Sequence, residues 1–213
     1  MSTPQKDTDT HDASIDGDAT EPARAVGRPR DDSVDRKIIE AAVELYAERG
    51  WGKFSFDAVA RRAGVGKPAI YLRYDSREEL LVASFEKSYN PTTIFDTGSL
   101  RGDLKAFIVS QFEFWLSTIG NATLRMSADQ IYLHDLGETY RTRVVRPMIL
   151  AARDIVDRAK LREEISDAVD TNILLEAISG AVRTRVTDTR LSSRPRLHEI
   201  VDAYAEELLT MIL

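Results

Sequence analysis

The sequence predicts an all-α protein of about nine helices, and three observations carry that expectation. From Asp32 onward apolar residues recur at spacings of three and four, and no alternating stretch reads as a strand. Ser, Gly and Pro fall where helices start and stop rather than where hairpins turn. The stretch from Phe54 to Tyr74, FSFDAVARRAGVGKPAIYLRY, has helix-turn-helix spacing, with Ala60, Gly64 and Ile70 at offsets of zero, four and ten. Ala60 is small where a second helix crosses the first, and Gly64 tolerates the positive φ of a sharp turn. Val59, Ala63, Val65 and Ile70 are expected to close the corner, which leaves Lys67, Tyr71 and Arg73 on the outer face of the second helix. In a helix-turn-helix that face enters the DNA major groove.

The elements follow in order. Residues 1–23 carry six acids and one base with hardly a large apolar side chain, so a disordered acidic tail is expected. GRPR within residues 24–30 is a short basic arm that Pro29 keeps extended. Asp32 or Ser33 caps a first helix to Arg49, with Ile38, Ala41, Ala42, Leu45 and Tyr46 as its buried stripe. Gly50 and Gly52 end it. Ser55 caps the second helix, and the third runs from Lys67 to Tyr74. Ser76-Arg77-Glu78-Glu79 reads as a capping box that starts a fourth helix, with Leu80, Leu81 and Phe85 inward and Asn90-Pro91 as its stop.

Beyond it, helices are expected over residues 100–118, capped by Ser99, and 122–135. Gly137 precedes a long helix over 138–160, kinked at Pro147. Two more follow over 167–186 and 195–212, the last capped by Ser193 with Pro195 in its first turn. Residues 31–80 then form the helix-turn-helix domain and residues 81–213 a larger helical domain.

Composition narrows the function classes. The chain has 213 residues, a net charge of -6 and no cysteine, which excludes disulfides and thiolate chemistry. No run of about 18 apolar residues is present, so no membrane span is expected. The absence of cysteine is compatible with a reducing cytosol, and a cytoplasmic site of action is expected. The charge is unevenly spread: residues 24–79, with twelve bases and ten acids, form the one positive segment. His11, His134 and His198 have no metal-ligand spacing, and no phosphate loop, His-Glu-x-x-His or nucleophile elbow occurs. Neither an enzyme nor a metal or cofactor site is expected.

Arg36 to Leu81 resembles the DNA-binding domain of the tetracycline-repressor (TetR) family. The resemblance is carried by IIEAAVELYAERGW and FSFDAVARRAGVGKPAIYLRYDSREELL: an apolar helix ending in Gly-Trp, an Ala-Gly-Val turn, Lys at the third helix, Tyr within it, and an aromatic before an acidic cap. It implies a homodimeric, ligand-responsive transcription regulator, commonly a repressor, on double-stranded DNA. Two positions depart from the family pattern: Gly66 stands where Ser or Thr is frequent, and Arg73 where His is frequent.

The expected DNA contacts are Arg28 and Arg30 in the minor groove, Ser55 and Arg61 from the second helix, Lys67, Pro68, Ala69 and Tyr71 from the third, and Arg73 and Arg77 on phosphates. For a small-molecule effector, ligand contacts are expected from Phe112, Trp115, Arg125, Met126, Tyr132 and His134, where aromatic and polar groups concentrate in two consecutive helices. For a four-helix dimer interface, Ile173, Ala177, Ala181, Leu197, Val201, Tyr204 and Leu208 supply the apolar and small faces of the last two helices. The alternative function is a helical adaptor or small-molecule-binding protein that has lost DNA binding.

Overall fold

A computed structural model describes residues 32–89 and 95–213. The expected acidic tail and basic arm, including Arg28 and Arg30, and the Asn90-Pro91 stop lie outside the described residues. Among the described residues every regular element is helical. The order is α1 (Asp32–Arg49), α2 (Phe56–Ala63), α3 (Lys67–Tyr71), α4 (Arg77–Ser88), α5 (Leu100–Leu116), α6 (Thr118–Asp129), α7 (His134–Tyr140), α8 (Arg146–Leu161), α9 (Thr171–Asp188) and α10 (Leu197–Ile212). A π-turn, Arg141–Val145, joins α7 to α8 without interruption, so the chain runs as nine helical rods among the described residues.

Several boundaries differ from expectation, each for a local reason. Asp32 and Ser33 lie inside the first turn of α1 rather than before it. The long seventh rod starts at His134, and Gly137 sits within it because a Cβ there would come 2.7 Å from Cβ of Gln130. Pro147 produces a widened turn in place of a simple kink. Its missing N–H leaves the carbonyl four residues earlier without a helical donor and its ring crowds that carbonyl, and the π-turn ends just before it. Ser117, not considered from sequence, caps α6 by accepting from Gly120 N–H at 3.3 Å, which moves that helix toward the N-terminus. Asp170 caps α9 through the N–H groups of Asn172 and Ile173. Ser193 lies in a 3-10 segment, Leu191–Arg196, that leads into α10, and Arg196 stands at the cap position without a side-chain bond.

Two cores organise the helices. One gathers Ile38, Tyr46, Phe54, Val59, Ile70, Leu81 and Phe85 from the N-terminal unit with Ala122, Met126, Leu136, Tyr140 and Val144 from α6, α7 and the π-turn. The other gathers Leu104, Ile108 and Phe112 of α5 with Ile155, Ile178, Val182, Ala205 and Leu209 of α8 to α10. The first core therefore crosses from the helix-turn-helix unit into the next helices. Tyr46 is its pivot, fully buried, edge-on to Phe54 and Phe85, with its hydroxyl donating to Asp129 Oδ2 at 2.8 Å. Burial and the adjacent carboxylate push its phenol pKa far up, so the hydroxyl stays a donor.

Candidate nucleic-acid interface

The interface is built on a short corner. Ser55 is extended and its hydroxyl accepts from Ala58 N–H at 3.2 Å, which starts α2. Gly64 ends α2 in the left-handed region at φ 66° and ψ 31°, and its N–H returns to the Ala60 carbonyl. Gly66 then opens α3, where Pro68 occupies the first turn and costs no hydrogen bond. Ile70 and Tyr74 turn inward and are buried. The rotation that buries them leaves Lys67, Pro68 and Tyr71 outward, with Tyr71 61% exposed. Tyr71 is braced edge-on against Phe56 at 4.9 Å between ring centroids, so its hydroxyl projects from a fixed base. Ala69 is half-buried on the flank of α3.

Charge surrounds this corner unevenly. Lys67 Nζ lies 2.7 Å from Asp57 Oδ2, and both side chains are exposed. Exposed ion pairs of this kind are worth about 0.2–1 kcal/mol, so a phosphate competes for Lys67 on favourable terms. Beside it, Arg49, Lys53, Arg61, Arg62 and Arg77 line one cleft of about 580 Å³ together with Ser55. Arg62 is committed within the protein, bonded to Glu48 and close to Glu44, and is held protonated by the Glu48 bond. Arg61 is exposed. Arg77 at the head of α4 stacks over the Trp51 ring at 4.1 Å from its centroid and reaches the Phe54 carbonyl at 3.4 Å. Trp51 is itself stacked on Phe54.

Arg73, expected on a phosphate, is largely buried. Its guanidinium turns inward, paired with Asp35 on α1 and bonded to the Ala69 carbonyl. The cause is the early end of α3 at Tyr71 rather than Tyr74, which frees that carbonyl. Sequence reasoning missed Lys53 and Arg49 as cleft residues. Their signal was the double glycine around Trp51, which folds a 3-10 turn, Trp51–Lys53, back toward Ser55. It also missed Asp57, whose place on α2 opposite Lys67 depends on the corner angle.

The six expected ligand residues do not share a cavity. Phe112 and Met126 are sealed in the two cores, Phe112 against the Tyr204 ring and Met126 under the Tyr46 hydroxyl. Trp115 is buried, and its indole N–H has no hydrogen-bond partner. Tyr132 is 84% exposed and His134 is exposed at the head of α7. Arg125 lies along an open groove between α1 and α6, where its Nε donates to the Ala47 carbonyl at 3.1 Å. Aromatic clustering on α5 and α6 reflects core packing on two different sides.

The expected interface residues divide as well. Ile173 and Ala177 are exposed on α9, Ala181 is half-buried there, and Val201 and Tyr204 are half-buried on α10. Leu197 and Leu208 face inward into the subunit's own core, which corrects their assignment to the outer face. The apolar stripe of α10 is wider than one contact requires, and its inner half belongs to α5 and α9.

Comparison with known proteins agrees with this geometry. Residues 38–83 match the profile of the bacterial regulatory proteins of the TetR family, and residues 94–209, more than half of the chain, match the tetracyclin repressor-like C-terminal domain. Among curated relatives, the HTH-type transcriptional regulator YdeS of Bacillus subtilis is 26% identical over 183 residues, covering 85% of this chain and 89% of that protein. The HTH-type regulator AqdR of Rhodococcus erythropolis is 28% identical over 155 residues, covering 71% of this chain and 73% of its own. Among solved structures, FadR of Bacillus subtilis in complex with stearoyl-CoA superposes with a TM-score of 0.62 at 20% identity, over 84% of this chain and 97% of that one. With its helix-turn-helix, its second helical domain and both profiles in register, the chain belongs to the TetR family of transcriptional regulators.

Proposed function

We propose that this protein is a cytoplasmic, non-catalytic repressor that binds a pseudo-palindromic operator as a homodimer and is released by a small molecule. The observation that carries the reading is the outer face of α3, where Lys67, Pro68 and Tyr71 project together while Ile70 and Tyr74 anchor the helix. Phosphates meet Lys67, Ser55, Arg61, Arg77 and the cleft cations Lys53 and Arg49; Pro68, Ala69 and Tyr71 meet base edges. Residues 31–80 supply this surface, and residues 81–213 supply ligand response and pairing.

Pairing uses the outward side of α9 and α10, where Ile173, Ala177, Ala181, Val201 and Tyr204 leave apolar and small side chains at the surface. For the effector, the unpartnered Trp115 indole N–H beside the Phe114 ring favours a ligand with an apolar body and a hydrogen-bond acceptor.

Selection of bound DNA from a random-sequence pool tests the reading. A pseudo-palindrome with half-sites about one helical turn apart is expected. No enrichment at low salt would overturn it in favour of a protein that has lost DNA binding.

A further inference from the structure

The end of α3 is closed by an arginine that folds back on its own helix. In a continuing α-helix, Arg73 N–H would bond the Ala69 carbonyl. Here it bonds the Ile70 carbonyl at 2.9 Å, and Ala69 loses its backbone donor. The guanidinium of the same residue replaces it, with Nη1 2.9 Å from the Ala69 oxygen. Its Nε donates to Asp35 Oδ1 in the first turn of α1. Arg73 and Asp35 are only 17% and 23% exposed at the side chain, so the pair sits inside the corner rather than on the DNA side.

We propose that Arg73 is a positioning residue: with Asp35 it forms a latch that sets the tilt of the recognition helix on α1, and it makes no phosphate contact. A five-residue helix has almost no stability of its own and takes its orientation from its anchors. Ile70 and Tyr74 fix the C-terminal end of α3 in the core, and both anchors lie on one side of the helix. The latch adds a tie in a second direction, because one planar fork holds both the Ala69 carbonyl of α3 and Asp35 in the first turn of α1. Lys67 and Tyr71 lie on either side of Ile70, so a change in tilt displaces both from the groove at once. The inference rests on the reading of α3 as the groove-facing helix and goes beyond it in assigning Arg73 and Asp35.

The test uses the full-length protein and the DNA selected by the wild type, with affinity measured across salt concentration and against non-specific DNA. Arg73→Ala and Asp35→Ala are each expected to weaken specific binding about tenfold, with non-specific binding and the salt slope unchanged. The double variant is expected to bind within about twofold of either single one, because both remove the same latch. Arg73→Lys keeps the charge but not the fork, and an intermediate loss is expected.

A phosphate contact predicts the opposite pattern. Arg73→Ala would lower the slope by about 0.9, and Asp35→Ala would bind as well as or better than the wild type. Either result overturns the proposal. If the alanine variants unfold, Asp35→Asn and Arg73→Lys carry the same comparison, and tighter binding by Asp35→Asn is the overturning result. Lys67→Ala, run in parallel, separates failure of the latch from failure of the reading of α3: only the latter leaves its slope unchanged.

Discussion

Gly50 is the residue whose replacement the geometry prices most clearly. It stands between α1 and the Trp51 turn at φ 66° and ψ -177°, a region that L side chains almost never occupy. An added methyl there carries about 1–3 kcal/mol of backbone strain. It would also lie 2.8 Å from Arg125 Nη1 and 3.4 Å from Arg125 Cδ. That side chain is exposed and flexible, so it swings aside and gives up its bond to the Ala47 carbonyl, a loss of about 1 kcal/mol. Gly50→Ala is therefore expected to destabilise by about 3 kcal/mol, or about 6–12 °C in Tm for a domain of this size.

Two neighbours supply the scale. Gly64→Ala has the same φ but open space for its Cβ, so about 1–2 kcal/mol is expected; Gly52→Ala has neither handicap and stays within about 0.5 kcal/mol of the wild type. The assay is denaturant unfolding followed by far-UV circular dichroism at one fixed protein concentration. In an Arg125→Ala background the cost of Gly50→Ala falls by only about 1 kcal/mol, because the backbone share remains. Equal stability of Gly50→Ala and Gly52→Ala would refute the reasoning.

Asp57→Asn, which releases Lys67 from its exposed pair, is expected to tighten DNA binding about two- to fivefold in a filter or anisotropy titration; weaker binding would argue that Asp57 is needed to orient Lys67. Arg143 in the π-turn bonds Glu79 and Glu86 on α4, with all three side chains about a third exposed; Arg143→Met is expected to cost about 1–2 kcal/mol, shrinking with added salt, and a salt-independent loss would point to packing instead. Asp103 is fully buried, and burial alone would raise its pKa; the Thr97 N–H and hydroxyl and Arg162 outweigh that and hold it below the ordinary value. A lowered folded pKa gives stability that is present above about pH 4 and lost as pH falls through the folded value, so Asp103→Asn should flatten the acid limb of a Tm-against-pH profile.

What the sequence made legible follows from the range of the interactions involved. Ser55, Gly64, Ser76 and Ser99 act on neighbours within a few residues, and each caps or ends a helix where local chemistry places it. The buried and outward faces of α1 and α3 were legible for the same reason, since periodicity alone separates Ile70 from Tyr71. The capping box at Ser76 was half right. Ser76 Oγ accepts from Glu79 N–H at 3.0 Å, but the Glu79 carboxylate turns to Arg143, 64 residues away. The pairing of Arg73 with Asp35 is not legible locally, because Asp35 lies 38 residues back. The inward placement of Leu197 and Leu208 was hidden because an apolar stripe carries no mark of which half meets its own subunit.

The contacts between the helix-turn-helix unit and the following helices all land on α1 or α4 among the bonds described above. Tyr46 and the Ala47 carbonyl of α1 meet Asp129 and Arg125 of α6, and Glu79 and Glu86 of α4 meet Arg143 of the π-turn. Glu79 and Glu86 are two helical turns apart on one face, so a single guanidinium between them resists both rotation and sliding of α4. The recognition helix α3 receives none of these bonds and is tied to α1 through Asp35 and Arg73. A ligand-driven shift of α6 or of the π-turn must therefore reach α3 by carrying α1 and α4, with the corner moving as a body. Because the π-turn holds one residue more per turn than the helices around it, moving it along the rod rotates Arg143 relative to α8. The same rotation would turn Val144, which is buried in the first core, so releasing α4 through Arg143 is coupled to repacking there.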